Sequence, residues 1–182
     1  MTRRALAVVG VLAILALAGI ALLYREVTFH GFSAREKPWP VEEFVALCLR
    51  KLATGRDARR MMNPYAPKDE ILADARDHFA EHCTACHAED GSGKSSIGEG
   101  MYPPATDLRQ PRTQKLTDGE LFQIIRNGIR FTGMPGWGGV DTDEDIWKLV
   151  LLLRHLPNLT ADELHRMRAM SGGDRQAHHH EH

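Results

Sequence analysis

At 182 residues the chain has room for one domain of ordinary size with extra segments. A charged fraction of 26% and a net charge of −1 exclude the overall basic excess of a nucleic-acid binder. Three cysteines cannot close into a disulfide framework. Charge is nevertheless uneven along the chain. Arg50, Lys51, Arg56, Arg59 and Arg60 stand against Asp57 alone, whereas Ile71 to Leu159 carries nine Lys/Arg against thirteen Asp/Glu. That asymmetry is a weak hint about docking.

In chain order, the first feature is Ala5 to Tyr24, twenty residues without a charge, with Arg3-Arg4 before and Arg25-Glu26 after. As a helix this run spans about 30 Å, the thickness of a bilayer core. A cleavable signal has a shorter apolar stretch followed by a small-x-small site. Here the run ends in Leu22-Leu23-Tyr24-Arg25 with no small-x-small pair, and Ala16-Leu17-Ala18, which fits the motif, lies inside the apolar stretch. Residues 1–25 are therefore expected to be an uncleaved signal-anchor, a single transmembrane helix in the bacterial inner membrane. Arg3 and Arg4 on one side and Arg25, Arg35 and Lys37 on the other leave its orientation nearly tied by charge. Residues 26–67 follow as a spacer. Thr28 to Pro40 is mixed and ends in Pro38-Trp39-Pro40, which resists helix. Val41 to Ala53 predicts a short helix through Phe44, Leu47, Cys48 and Leu52, stopped at Gly55, with Cys48 as a small apolar filler. Asn63-Pro64-Tyr65-Ala66-Pro67 then breaks the chain.

Residues 68–159 have the pattern of a compact helical domain. Ile71 to His82 predicts a helix, and Ala88 to Arg112, rich in Gly and Pro, predicts loop. Capping boxes at Thr117–Glu120, Asp141–Glu144 and Thr160–Glu163 open three further helices, which end at Asn127-Gly128, Pro157 and Gly172-Gly173. No sustained period-two alternation appears, so the fold class is all-α. Residues 160–182 form a C-terminal helix and a His-rich tail, His178, His179, His180 and His182, which either catches metal or has no consequence.

The chemistry rests on Cys83-Thr84-Ala85-Cys86-His87. Two thiols three residues apart can add to the two vinyl groups on one edge of a porphyrin, and His87 then lands over the iron. A structural zinc site would need four Cys/His ligands, and no second pair exists. A thioredoxin-like pair would need a βαβ setting, which is missing. One covalent haem c is expected, with Cys83, Cys86 and His87 as its binding residues. In bacteria such haem is attached on the outer face of the membrane, which places everything after the anchor in the periplasm. Methionine on the opposite side of the iron would close it to small molecules and raise its potential. Met134 lies 47 residues after His87 in a glycine-bounded loop, Gly128 to Trp137, that can bring a thioether close to a flat cofactor. Met101 is the alternative.

Residues 71–157 resemble a class I c-type cytochrome domain. The resemblance lies in Phe79 four residues before Cys83, the C-T-A-C-H itself, the Pro-containing loop, the G-M-P-G-W segment and the I-W-K-L-V start of the last helix. It implies that the first and last helices cross and that Phe79 packs on the Trp147 helix. It also implies a prolyl carbonyl, that of Pro103 or Pro104, accepting the hydrogen bond from His87, and Trp137 packed beside the haem. Ala75 stands where the family often has Gly, and the His87–Pro103 loop is longer than in mitochondrial-type members. The function implied is that of an electron carrier, not an enzyme, passing single electrons between redox-protein partners at the membrane. The alternative is the cytochrome subunit of a larger membrane oxidoreductase, with Val41–Pro67 packed on other subunits. No His, Arg or Asn is placed as a distal catalytic group for a haem enzyme or a gas or peroxide sensor.

Overall fold

The computed structural model describes residues 2–30 and 33–177, all helix, turn or coil, with no strand among the described residues. The chain divides into two compact units, residues 1–36 and 37–182. The first is one long helix, α1 (Arg3–His30). It continues past Tyr24 through Arg25 and Glu26, since nothing in that stretch breaks a helix. Within Arg3–Phe29 an 18-residue window reaches a mean hydropathy of 2.9 with none of it buried by protein, which is consistent with a membrane-spanning helix.

The second unit begins with α2 (Pro40–Ala53), whose proline at the first helical position fits the start of a helix. It buries no residue. Cys48, expected as an apolar filler, is exposed, because α2 turns only its Leu47 edge toward Leu116 and Ile124. Polar ties hold it in place: Tyr102 donates to Glu42 at 2.5 Å, Arg112 pairs with Glu43, and Arg59 donates to the Lys51 carbonyl at 2.8 Å.

The core is built by α3 (Asp69–His82), α7 (Asp118–Asn127), α8 (Asp143–His155) and α9 (Ala161–Ala177). Three one-turn helices lie between them: α4 (Thr84–His87), α5 (Ser96–Glu99) and α6 (Pro111–Gln114). The first and last helices of the resemblance, α3 and α8, pack together, and Ala75, Phe79, Ile146, Val150 and Leu152, all essentially inaccessible, belong to one core. Trp147 stacks on Phe122, centroids 4.2 Å apart and 19° from parallel. Helix α9 packs on α3 and sends Met167 into the same core. The start of α7 is as read: Thr117 accepts from the Glu120 amide, and Glu120 accepts in return. The start of α8 is one residue later than expected. Thr142, not Asp141, is the cap and Asp145, not Glu144, completes the box, because the Asp141 carboxylate is turned toward α3. Helix α9 runs through Gly172-Gly173 to Ala177. A helical glycine costs only about 1 kcal/mol, and the buried Met167 and Ser171 hold this helix in place. The tail histidines lie outside the described residues.

Candidate haem site

Cys83 is the C-cap of α3, its amide still bonded to the Phe79 carbonyl at 2.9 Å. The chain then makes the single turn α4, closed by the His87 amide on the Cys83 carbonyl at 2.8 Å. This turn places both thiols and the imidazole within one helical revolution. It is braced from inside: Thr84 donates to the Ala80 carbonyl at 2.8 Å, and the Ser171 hydroxyl on α9 lies 3.2 Å from Thr84 Oγ1. After His87 the backbone reverses at Ala88, with φ at 59°.

The loop that follows wraps back on this turn. Ser95 Oγ is shared between the carbonyls of Ala85 and Cys86, at 2.6 and 3.0 Å. Gly98 lies so close that a Cβ there would sit 2.1 Å from the Cys86 carbonyl oxygen, which leaves glycine as the residue that fits. His87 Nδ1 donates to the Thr106 carbonyl at 3.3 Å. The expected acceptor was Pro103 or Pro104. Both are exposed, and the loop instead delivers Thr106, held by its neighbours. Asp107 accepts from Arg109 Nε and Nη2 at 2.9 Å each, while Arg109 Nη1 reaches Asp90 at 2.8 Å. The bonds from Arg109 hold the Asp107 carboxyl down at about 2. Burial lowers the pKa of His87 against the opposing bond to Thr106. The imidazole is thus held neutral, with Nδ1–H fixed on a carbonyl and Nε2 left as a lone-pair donor.

The Met134 loop is fastened to the end of α7. The Trp137 amide donates to the Ile125 carbonyl at 3.0 Å, and the Met134 carbonyl accepts from Ile129 at 3.1 Å. Met134 and Trp137 are half-buried against the core. Met101 is not remote from them. Its sulfur occupies the space beside Gly133, where a Cβ would come within 2.1 Å. The two methionine candidates therefore share one wall. His82 and Trp137 have ring centroids 5.2 Å apart, and His78 donates to Asp141 at 3.0 Å. These contacts seat the loop against the end of α3, beside Cys83.

The residues fit a covalently attached haem. Cys83 and Cys86 are free thiols, His87 presents an oriented neutral nitrogen, and a half-buried thioether stands beside an aromatic ring. Desolvation, with Asp141 and Cys86 adding to it, pushes the Cys83 thiol up to about 12. Of the remaining candidates, Phe79 and Trp147 are core residues, while Pro103 and Pro104 are exposed. Sequence reasoning missed Ser95, Gly98 and Thr106, which act through backbone contacts and carry no chemical signature.

The all-helical fold with this turn and its loop is consistent with a c-type cytochrome domain. Residues 70–153, a little under half of the chain, match the family model described as cytochrome C oxidase, cbb3-type, subunit III. No curated protein matches the chain. The segment is thus a c-type cytochrome domain, which implies haem binding and electron transfer, preceded by an apolar helix consistent with a membrane anchor.

Proposed function

We propose that this protein carries one haem c, attached at Cys83 and Cys86 and ligated by His87 and Met134, and passes single electrons between membrane-associated redox partners. Residues 1–25 hold it in the bacterial inner membrane as one uncleaved span, with residues 68–159 as the haem domain in the periplasm. The observation that carries this reading is His87: an oriented, neutral imidazole at the end of a C-x-x-C-H turn. When bound, haem supplies a one-electron couple at iron. The chain's own part is positional. Thr106 fixes the imidazole plane, Ser95 and Gly98 clamp the turn, and Trp137 limits water at the Met134 side. Acid–acetone extraction of the purified protein should leave the colour on the polypeptide; extracted haem would end the covalent reading. Met134→Ala should remove the near-infrared sulfur-to-iron band of the oxidised protein and lower its potential, and an unchanged band would transfer the role to Met101.

A second reading has its own support: the protein as cytochrome subunit of a larger membrane oxidoreductase. Helix α2 exposes Val41, Phe44, Val45, Leu49 and Leu52, an apolar face rarely left to water, beside the basic cluster that ends at Arg60. The description of the matched family names an oxidase subunit. Purification from membranes in mild detergent separates the two: a carrier comes away alone, and a subunit brings stoichiometric partners.

A further inference from the structure

We infer that His78, His82 and Asp141 form a binding site for a first-row divalent cation of the zinc or copper kind, separate from the haem iron. His78 and His82 are four residues apart on α3, so both imidazoles leave one face of the helix. Their ring centroids are 4.8 Å apart. Asp141, just before α8, supplies the third group, and one donor atom from each residue lies within 4.8 Å of the other two. Two imidazoles and a carboxylate are a ligand set that zinc and copper accept readily.

The distances require little movement. A tetrahedral ion with bonds of about 2.0–2.2 Å separates its ligand atoms by about 3.3–3.6 Å. His78 Nε2 and Asp141 Oδ2 stand at 3.0 Å and would open slightly. His82 would close by about an ångström to meet those bond lengths. Its side chain is 35% exposed at the last position of the helix, where a rotation meets little resistance.

The electrostatics favour a cation. The Asp141 side chain is only 3% exposed, and a carboxylate that deep normally has a full positive partner or a metal. Its bonded neighbour is a histidine. Among the described residues no lysine or arginine ion pair with any of the three is seen, Asp145 also faces His78, and Glu81 has its carboxylate 3.7 Å from His82 Nε2. The fourth position is left to water or to that carboxylate. An ion there would bridge α3 to the segment between Met134 and α8, replacing a single hydrogen bond by a three-point clamp. The site requires no haem, so it stands or falls independently of the proposed function.

The test uses the full-length, haem-loaded protein in mild detergent with His178, His179, His180 and His182 replaced by Ala, so that the tail cannot bind metal. Calorimetric titration with zinc chloride at neutral pH should give one ion per chain. His78→Gln and His82→Gln should each weaken that binding by about a hundredfold or more, beyond the loss seen when only an outer-shell partner is removed. Asp141→Asn, which keeps the shape and removes the charge, should weaken it as well. His165→Gln on the exposed side of α9 is the control and should leave it unchanged. A circular dichroism spectrum identical to the parent's certifies each variant as folded. Absence of one-to-one binding, or folded Gln variants that bind like the parent, would overturn the inference and leave the cluster as a helix-to-loop hydrogen bond.

Discussion

Helices α2 and α3 are both 14 residues long, and α2 is the more apolar, yet α2 buries nothing while α3 buries Leu72, Ala75, Phe79 and Ala80. Hydrophobicity is therefore not what decides burial here. Helix α3 puts two alanines beside its aromatic ring, which lets its backbone approach α8 closely and lets Phe79 fill the space between them. Helix α2 carries its bulky side chains Val41, Phe44, Val45, Leu49 and Leu52 along one face, and the described residues of its own unit leave that face exposed. One helix is completed by the chain; the other leaves its apolar face exposed.

Three measurements would break or sharpen that comparison. The largest effect is expected at Phe79, 1% exposed at the α3–α8 crossing. Phe79→Ala should cost about 3–5 kcal/mol in denaturant unfolding, and a loss below the range of ordinary surface changes would mean that the crossing does not hold the fold.

A smaller effect is expected at Glu163, which links α3 to its neighbours. Its carboxylate pairs with Arg76 on α3 at 2.5 Å and with His155 at the end of α8 at 3.1 Å, and accepts from the Thr160 amide at 2.9 Å. Burial alone would push this carboxyl up, but the bonds from Thr160 and His155 overcome it and hold it at about 2, against its ordinary 4.5. The folded form thus favours the ionised state, so the contribution is complete above 4.5 and disappears as pH falls toward 2. Glu163→Gln should cost about 1–3 kcal/mol at neutral pH, as expected for buried partners left unmatched, and should flatten the decline of stability across that acid window. An equally steep decline in the variant would assign the acid sensitivity elsewhere.

The smallest effect is expected on α2. Phe44→Ala should change the stability of the purified protein by no more than about 0.5 kcal/mol in either direction, as at an ordinary surface position. A loss of several kcal/mol would show that α2 is a core helix and would dissolve the contrast with α3.

The sequence made the parts with local signatures legible. The apolar run, the C-x-x-C-H motif and the Thr117 and Thr160 boxes are each written within a few residues, and α7 and α9 begin where those boxes say, whereas α1 begins two residues before the apolar run. Ambiguity appeared where the same letters recur. In Asp141-Thr142-Asp143-Glu144-Asp145 two boxes are spelled one residue apart, and a contact from His78, 63 positions away, favours the later one. The acceptor for His87 was illegible for a related reason. The choice of Thr106 over Pro103 or Pro104 depends on Arg109 joining Asp107 to Asp90, a closure that local sequence does not announce. The burial of Met167 and Ser171 against α3 was equally hidden, because a short polar C-terminal helix looks the same in sequence whether it docks or not. The pair His78 and His82 went unremarked in the sequence, because a spacing of four is common on helices and the partner Asp141 is brought to it only by the fold.

The way the 93–98 segment grips the haem-binding turn has an evolutionary consequence. Gly98 meets the Cys86 backbone and Ser95 bonds to two backbone carbonyls, so what the turn imposes on this loop is size and a single hydroxyl, with no requirement on the side chains between them. Lys94, Ser96, Ile97 and Glu99 point to solvent. Among descendants of this sequence, drift should run freely through those four positions while residue 98 stays fixed, and the loop should change its charge and its docking preferences many times without disturbing the turn it holds.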